Sequence, residues 1–322
     1  MSYKPILIVD GQPKSIFLEI FFKSIKKIEI KSPIILIASL KLVSLEMKKQ
    51  KIKKKIKILD YLNINIKNLN NLHINLIDVS VKSKNVKNKK SSQSNDYIKK
   101  KFSVAFDLIK KHKINKFING PINKKKFLNK KYLGITEYIS NKFKSKNNAM
   151  LIYNKNLSVC PVTTHLPIKF VTNSINSKII KEKIFLINDF YKKQFKFKPK
   201  IALLGLNPHC ESIDKYNEDE KILKPVVNFF KKKNFLVFGP FSADTIFLTQ
   251  NRLKYDVIVG MYHDQVLTPI KTLFEYDAIN ITLGLPFIRI SPDHGPNENM
   301  YGKNKSNPLS LMRALKFLDK NW

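Results

Sequence analysis

Three of the six histidines in this 322-residue chain stand just beyond short apolar runs. Val159-Cys-Pro-Val-Thr-Thr164 leads into His165, Ile201-Ala-Leu-Leu-Gly-Leu-Asn-Pro208 into His209, and Val257-Ile-Val-Gly-Met-Tyr262 into His263. In open parallel α/β sheets the ligand crevice lies outside the carboxyl ends of the strands. Three imidazoles delivered to such an edge could converge on one divalent cation and leave a coordination position open for chemistry. Asp264 follows the third histidine and could orient an imidazole or complete the shell. The competing reading of any one such histidine is a hydrogen-bonded structural residue, which is how His73 and His112, lacking this context, are read. Lys271, Asn280 and Arg289 follow at short intervals. Arg289 lies in the apolar stretch Gly284-Leu-Pro-Phe-Ile-Arg-Ile290, where a planar bidentate donor either clamps a carboxylate or phosphate or pairs with an internal acid.

Two further turns collect polar groups. Phe117-Ile-Asn-Gly-Pro-Ile-Asn-Lys124 places Asn123 and Lys124 at a helix start, and Val237-Phe-Gly-Pro-Phe-Ser-Ala-Asp-Thr245 places Ser242 and Asp244 near another. Helix amino termini favour anions, although Ser and Asp there also serve simply as N-caps.

The elements that must position these residues alternate. Strands are predicted at Pro5–Val9, Ile34–Ala38, Ile74–Val79, Lys116–Asn119, Ala149–Tyr153, Val159–Thr163, Lys200–Leu206, Phe235–Phe238, Asp256–Gly260 and Ile279–Thr282. Helices are predicted at Ser15–Lys27, Asp96–His112, Lys124–Lys130, Thr136–Phe143, Ser177–Phe195, Glu218–Lys232, Ala243–Asn251 and Pro308–Asp319. This alternation reads as βαβ units around a mostly parallel sheet. Lys82–Ser94 reads as an exposed loop, and Lys48–Lys57, with Ile52 and Ile56 four apart, as a helix with a solvated face. There is no internal repeat and no Gly-x-Gly-x-x-Gly fingerprint.

Composition bounds the function. Sixty Lys+Arg against 24 Asp+Glu give a formal charge of +36, which invites a nucleic-acid reading. Only Arg252, Arg289 and Arg313 are arginines, however, and the lysines are spread among Asn and Ile, residues with A/T-rich codons. Arginine is the better tool for phosphate and base recognition, so the charge reads as compositional bias and no nucleic-acid partner is expected. Two cysteines make no disulfide framework, and no apolar run is long enough for a membrane span. A cytoplasmic protein without a membrane partner is the expectation.

Eight ordered motifs then resemble the 4-hydroxythreonine-4-phosphate dehydrogenase family of pyridoxal phosphate (vitamin B6) biosynthesis. They are Asn119-Gly-Pro-Ile-Asn-Lys124, Gly134-Ile-Thr-Glu137, Thr163-Thr-His-Leu-Pro167, Gly205-Leu-Asn-Pro-His209, Gly239-Pro-Phe-Ser-Ala-Asp-Thr245, Met261-Tyr-His-Asp-Gln265, Asn280-Ile-Thr-Leu-Gly-Leu-Pro286 and Asp293-His-Gly295. The resemblance covers the chain from about Asn119 onward. It implies NAD-dependent oxidation of the hydroxyl of 4-phosphooxy-L-threonine, followed by decarboxylation of the β-keto acid to 3-amino-2-oxopropyl phosphate. The alternative within the same chemistry is another phosphorylated four-carbon acid, threonate or erythronate 4-phosphate.

The implied fold is two α/β/α three-layer domains related to isocitrate and isopropylmalate dehydrogenases, with the active site in the interdomain cleft. The domains are expected at 1–130 plus 290–322 (nucleotide side) and 131–289 (metal, substrate and dimer side). Carried over, the metal ligands are His165, His209 and His263, holding one divalent ion (zinc, cobalt or magnesium). The substrate contacts are Thr136, Lys271, Asn280 and Arg289. Lys271 and Asp264 take the catalytic roles, with Lys271 as proton donor or acceptor. His294 and Gly295 are the expected NAD contacts, and a homodimer with shared active sites is the expected assembly. The sequence departs from the family pattern at Ile135, where a substrate-contacting histidine is expected, and in the N-terminal turn Asp10-Gly-Gln-Pro-Lys-Ser-Ile-Phe-Leu-Glu19. It departs again at Cys210-Glu-Ser-Ile-Asp214, usually Gly-rich, and at Pro296-Asn297, usually Thr-Ala.

Overall fold

The structure is a computed structural model that describes residues 3–80, 91–123, 132, 134–212, 216–292 and 295–320. In chain order its main elements are β1 (Ile6–Val9), α1 (Phe17–Lys27), β2 (Ile34–Ala38), α2 (Leu40–Lys49), β3 (Ile56–Ile58), β4 (Ile74–Asp78), α3 (Ser91–His112) and β5 (Lys116–Asn119). There follow α4 (Ile135–Lys142), β6 (Ala149–Tyr153), β7 (Ser158–Pro161), α5 (Ser177–Phe195), β8 (Ile201–Leu204) and α6 (Lys224–Lys232). The series ends with β9 (Val237–Phe241), β10 (Val257–Gly260), α7 (His263–Phe274), β11 (Ile279–Leu283), β12 (Ile288–Pro292) and α8 (Leu309–Leu318).

The chain divides into two compact units, Met1–Ile139 with Pro286–Trp322, and Ser140–Leu285. The boundaries expected from sequence would put Thr136 and Arg289 in the second unit; the packing puts both in the first.

In the first unit the strand order is β3-β4-β2-β1-β5-β12. Its ladders are parallel, with Ile6–Val9 against Ile34–Ile37 on one side and Leu7–Val9 against Phe117–Asn119 on the other. Every residue of β1 and β2 is buried, which for side chains alternating across a pleat requires cover on both faces. α3 packs on β1 and β2, while α1 packs against α2 and α8. The chain leaves β1 toward β2 on one side, and β5 lies on the other. The carboxyl end of β1 is therefore a topological switch point, the kind of place where such sheets bind ligands.

That end carries a buried ion pair. Lys101 donates to Asp10 and to the Gly11 carbonyl, the Tyr97 hydroxyl donates to the second Asp10 oxygen at 3.2 Å, and the Ser39 N–H donates to Tyr97 at 3.0 Å. Burial pushes the Asp10 carboxyl up and the Lys101 amine down, each against the pull of its partner.

In the second unit the order is β11-β6-β7-β10-β8-β9. β10 is parallel to β7 and β8, and β8 to β9, whereas β6 runs antiparallel to both β11 and β7. α5 shows why its sequence forms a helix. Asn176 caps it by accepting the Ile179 N–H at 3.0 Å, and Ile180, Ile184, Ile187 and Tyr191 form one buried stripe. Lys196 ends it in the left-handed region at φ 65°.

Several expectations are corrected. Lys48–Lys57 is not a helix: α2 stops at Lys49, Lys51 turns left-handed at φ 52°, and Ile56–Ile58 form an edge strand on β4. Ala243–Asn251 is a run of turns, with only Thr249–Arg252 helical. Glu218–Lys232 opens with a π-helical turn, Asp219–Leu223, before α6, because Pro225 cannot donate into the preceding turn. Of the loop expected at Lys82–Ser94, the last four residues belong to α3 and residues 82–90 lie outside the described residues, as does the helix expected at Lys124–Lys130. α2, α7 and β12 are elements beyond those predicted from the sequence.

Candidate functional site

Two of the three histidines are brought together by backbone pairing that continues beyond the strands. After β7, the Val162 N–H donates to the Gly260 carbonyl at 2.8 Å and the Thr163 N–H to the Met261 carbonyl at 3.1 Å. The Thr163 hydroxyl adds a second bond to Met261, at 2.7 Å. The segments after β7 and β10 are thereby laced together, and the rings of His165 and His263 lie 6.0 Å apart, inclined by 37°. His165 is exposed, and the His263 side chain is 34% exposed. The Nδ1 of His263 is 2.6 Å from Asp264 Oδ1. With the proton on Nδ1, this contact would fix the tautomer and leave Nε2 as the unprotonated ring nitrogen.

His209 is positioned by a separate device. Buried Asp219 accepts the Leu206 N–H at 2.8 Å, the Asn207 N–H at 3.1 Å and the Asn207 side-chain amide at 2.9 Å, which holds the turn after β8. A Cβ at Gly205 would sit 2.9 Å from that carboxylate and 2.7 Å from Cys210 Sγ, so only glycine permits the approach. Gln265 joins this turn to the one after β10, accepting the Met261 N–H at 2.6 Å and donating to the Gly205 carbonyl at 2.8 Å. His209 itself has left-handed backbone, φ 55°, and is exposed. Nearby, a hydrogen bond from the Ser242 side chain holds the Asp244 carboxyl below its ordinary value. The convergence of three imidazoles is only partly realised. His165 and His263 come together, but among the described residues no three His, Cys, Asp or Glu side chains are gathered to hold a metal ion.

The donor set nevertheless fits a divalent ion. Three imidazoles, one of them oriented by a carboxylate, suit zinc or cobalt better than magnesium, which prefers oxygen.

On α7, Lys271 stands two turns beyond His263, about 12 Å along the helix axis. It is half-buried, and burial pushes its amine below the ordinary value. Asn280, on β11, keeps a buried Oδ1 that meets no donor among the described residues.

The remaining predicted residues lie in the first unit. Arg289 on β12 is 1% exposed, with Nε donating to Asn119 Oδ1 at 2.7 Å and Nη1 to Thr136 Oγ1 at 3.0 Å. Burial brings its guanidinium down to about 10, opposed by the nearby Glu137 carboxylate. Ile135, the first residue of α4, is half-buried and offers no polar atom. Gly295 is exposed in a segment tied to the β1–α1 turn, where the Gln12 amide donates to Glu298 at 2.7 Å and the Ile16 N–H to the Pro296 carbonyl at 3.2 Å. His294 lies outside the described residues.

Four residues that position the set had no role assigned from sequence: Asn119, Thr163, Asp219 and Gln265. A polar residue at a strand end was the available signal for Asn119 and Thr163. Asp219 acts on a turn 12 and 13 residues earlier, which leaves no periodic trace.

The fold and these side chains define an α/β protein whose polar groups gather where its parallel strands end. Comparison with known proteins narrows the class. A family model described as pyridoxal phosphate biosynthetic protein PdxA matches residues 18–318, and the chain belongs to that family. It is 35% identical over 319 residues (95% of this chain, 94% of the relative) to a protein of Sulfurihydrogenibium sp. named 4-hydroxythreonine-4-phosphate dehydrogenase. It is 32% identical over 231 residues (71% of each chain) to the D-threonate 4-phosphate dehydrogenase of Salmonella typhimurium. Among solved structures, the 4-hydroxythreonine-4-phosphate dehydrogenase of Klebsiella pneumoniae superposes with a TM-score of 0.81 at 26% identity, covering 98% of both chains.

Proposed function

We propose that the protein is an NAD-dependent, divalent-metal-dependent dehydrogenase. It oxidises 4-phosphooxy-L-threonine to 2-amino-3-oxo-4-phosphooxybutanoate, which loses carbon dioxide to give 3-amino-2-oxopropyl phosphate. The observation that carries this reading is the paired His165 and His263 rings with Asp264 on Nδ1, in a chain whose full-length relative carries that activity in its name.

His165, His209 and His263 would hold the metal. When bound, a divalent ion supplies positive charge that acidifies an alcohol and stabilises the enolate left by decarboxylation. No three donors are gathered among the described residues, and a homodimer that completes each site from both copies is part of the proposal. Lys271 Nζ, its amine pushed below the ordinary value by burial, would take the hydroxyl proton, and a bound nicotinamide would supply the hydride acceptor for the same carbon. After the carboxylate leaves as carbon dioxide, the Lys271 ammonium returns a proton to the carbanionic carbon. Arg289, oriented by Asn119 and Thr136, binds an anionic group of the substrate, with Thr136 supplying a hydroxyl contact. The buried Asn280 oxygen accepts from a substrate hydroxyl or ammonium. Gly295 and His294 are the residues that would contact a bound dinucleotide. A cytoplasmic location is part of the proposal, and no described helix is long and apolar enough to cross a membrane.

A second reading keeps the chemistry and changes the substrate to threonate or erythronate 4-phosphate. It is favoured by Ile135, which cannot make the polar contact expected there, and by the likeness to the threonate 4-phosphate enzyme. Purified protein with NAD and metal, assayed on the three phosphorylated acids, separates the two. The first reading predicts the highest kcat/KM with 4-phosphooxy-L-threonine, and a preference for either sugar acid overturns it.

A further inference from the structure

At the amino ends of β2 and β4 the first unit contains a cavity of about 390 Å³. It lies at the sheet edge opposite the turns that carry Asp10 and Asn119, and no residue lining it has a part in the function proposed above. The size falls in the range of small-molecule pockets, roughly 300–1,000 Å³. Its floor is apolar: Phe21, Ile34, Leu36 and Ile74 are buried there, and Ile25 and Ile28 extend it along the end of α1.

The walls are pinned rather than merely apposed. Asn71 donates to the carbonyls of Ile30 (2.8 Å) and Ser32 (2.9 Å) and accepts the Ile34 N–H at 2.9 Å, stapling the loop before β4 to the turn before β2. Buried Asn75 donates to the carbonyls of Ile34 (3.0 Å) and Asn70 (2.7 Å). With these bonds satisfied inside the fold, the cavity is preformed. Its mouth is basic: Lys31, Lys54 and His73 line it, and Glu29 is the one acid among the lining residues. Lys54 is anchored there by donating to the Asn71 carbonyl at 2.6 Å, so an ammonium group stands at the rim of an apolar chamber.

We propose that this cavity is a binding site for a small anionic amphiphile, an unbranched carboxylate whose tail lies on Phe21, Leu36 and Ile74 and whose head group meets Lys54 and Lys31. An apolar tail gains by burial on the floor, and the carboxylate gains charge-assisted hydrogen bonds at a mouth where positive charge outnumbers negative. A neutral alcohol of the same length gains only the first of these, and an alkylammonium is repelled.

The test is calorimetric titration of the full-length protein with octanoate, octan-1-ol and octylamine. Octanoate is expected to bind saturably at one site, about tenfold or more tighter than octylamine, and to weaken as salt is raised. The double variant Lys31→Met/Lys54→Met should lose about tenfold in octanoate affinity while octan-1-ol is unaffected. Ile28→Trp, at a half-buried position, should fill the chamber and abolish binding; Ile25→Phe serves if Ile28→Trp lowers the thermal midpoint. Absence of saturable octanoate binding, equal binding of all three probes, or unchanged binding in a folded, cavity-filled variant would each overturn the proposal.

Discussion

The two units hold their polar side chains in opposite ways. In the first, the charges are part of the interior: Arg289 and Lys101 are 1% and 0% exposed, each bonded to named oxygens. In the second, the buried polar groups Asp219, Gln265 and Thr163 all serve turns, and the imidazoles they position are left at the surface. Hydrogen bonds that hold a loop cost the exposed ring nothing, so the ring stays available to a ligand. A buried cation, by contrast, cannot be removed without orphaning the groups around it. Substitutions of the surface imidazoles and Asp264 should therefore cost activity without stability, whereas substitutions of the first unit's buried cations should cost stability, with Arg289 losing substrate binding as well.

The sharpest break would come from His263→Ala and His209→Ala. Both are expected to lower NADH formation by more than about a hundredfold, since even partners of metal ligands carry effects of 10–100-fold. Their thermal midpoints should match the parent. Substantial activity in either would remove it from the metal set, and a large fall in midpoint would erase the contrast.

Lys101→Met tests the other side. Removing one partner of a buried ion pair costs about 3–5 kcal/mol, whereas an apolar replacement of both is often near neutral. Denaturant unfolding should show the single variant strongly destabilised and Asp10→Leu/Lys101→Met largely restored. That recovery follows from burial outweighing attraction at both groups. A double variant as weak as the single would mean the pair itself stabilises the unit.

Asp264→Asn refines the reading of the exposed set. Its carboxylate is 79% exposed and touches His263, so its loss should lower kcat about 10–100-fold and leave unfolding unchanged. An unaltered kcat would reduce Asp264 to a surface acid.

The smallest effect expected is a slope. Lys116 is buried, donating to Ser32, Lys320 and Lys4 oxygens, and burial lowers its amine from 10.5 to about 8. Between these values the unfolded chain binds more protons than the folded one, so this group's contribution to stability rises with pH through that window and is flat below it. Urea titrations of Lys116→Met and parent at pH 7.5 and 9.5 should show the parent gaining relative to the variant. Parallel curves would place the amine at its ordinary value.

How much of this was legible in the sequence depended on where the determining contacts lie. The strands Ile34–Ala38, Lys116–Asn119 and Ala149–Tyr153 and the helix Ser177–Phe195 were readable to the residue, because continuous apolar runs and a capped apolar stripe are local signals. β12 was hidden by the arginine near its start and the Gly and Pro before it, and α7 by Pro269 within the helix. The lysine run around residue 51 carried helical spacing, but a left-handed residue and pairing with β4 decided its structure. At the candidate site the histidines could be found because each follows a strand. The Asn119–Arg289 bond joins residues 170 apart and has no counterpart in any short window.

The most direct test of the central claim is NADH formation from 4-phosphooxy-L-threonine by the purified chain, before and after chelation and with zinc, cobalt or magnesium restored. Turnover should stop on chelation, return with metal, and fail to return in His263→Ala. Turnover that persists in the chelated protein would contradict the assignment of the three histidines to a metal that the reaction requires.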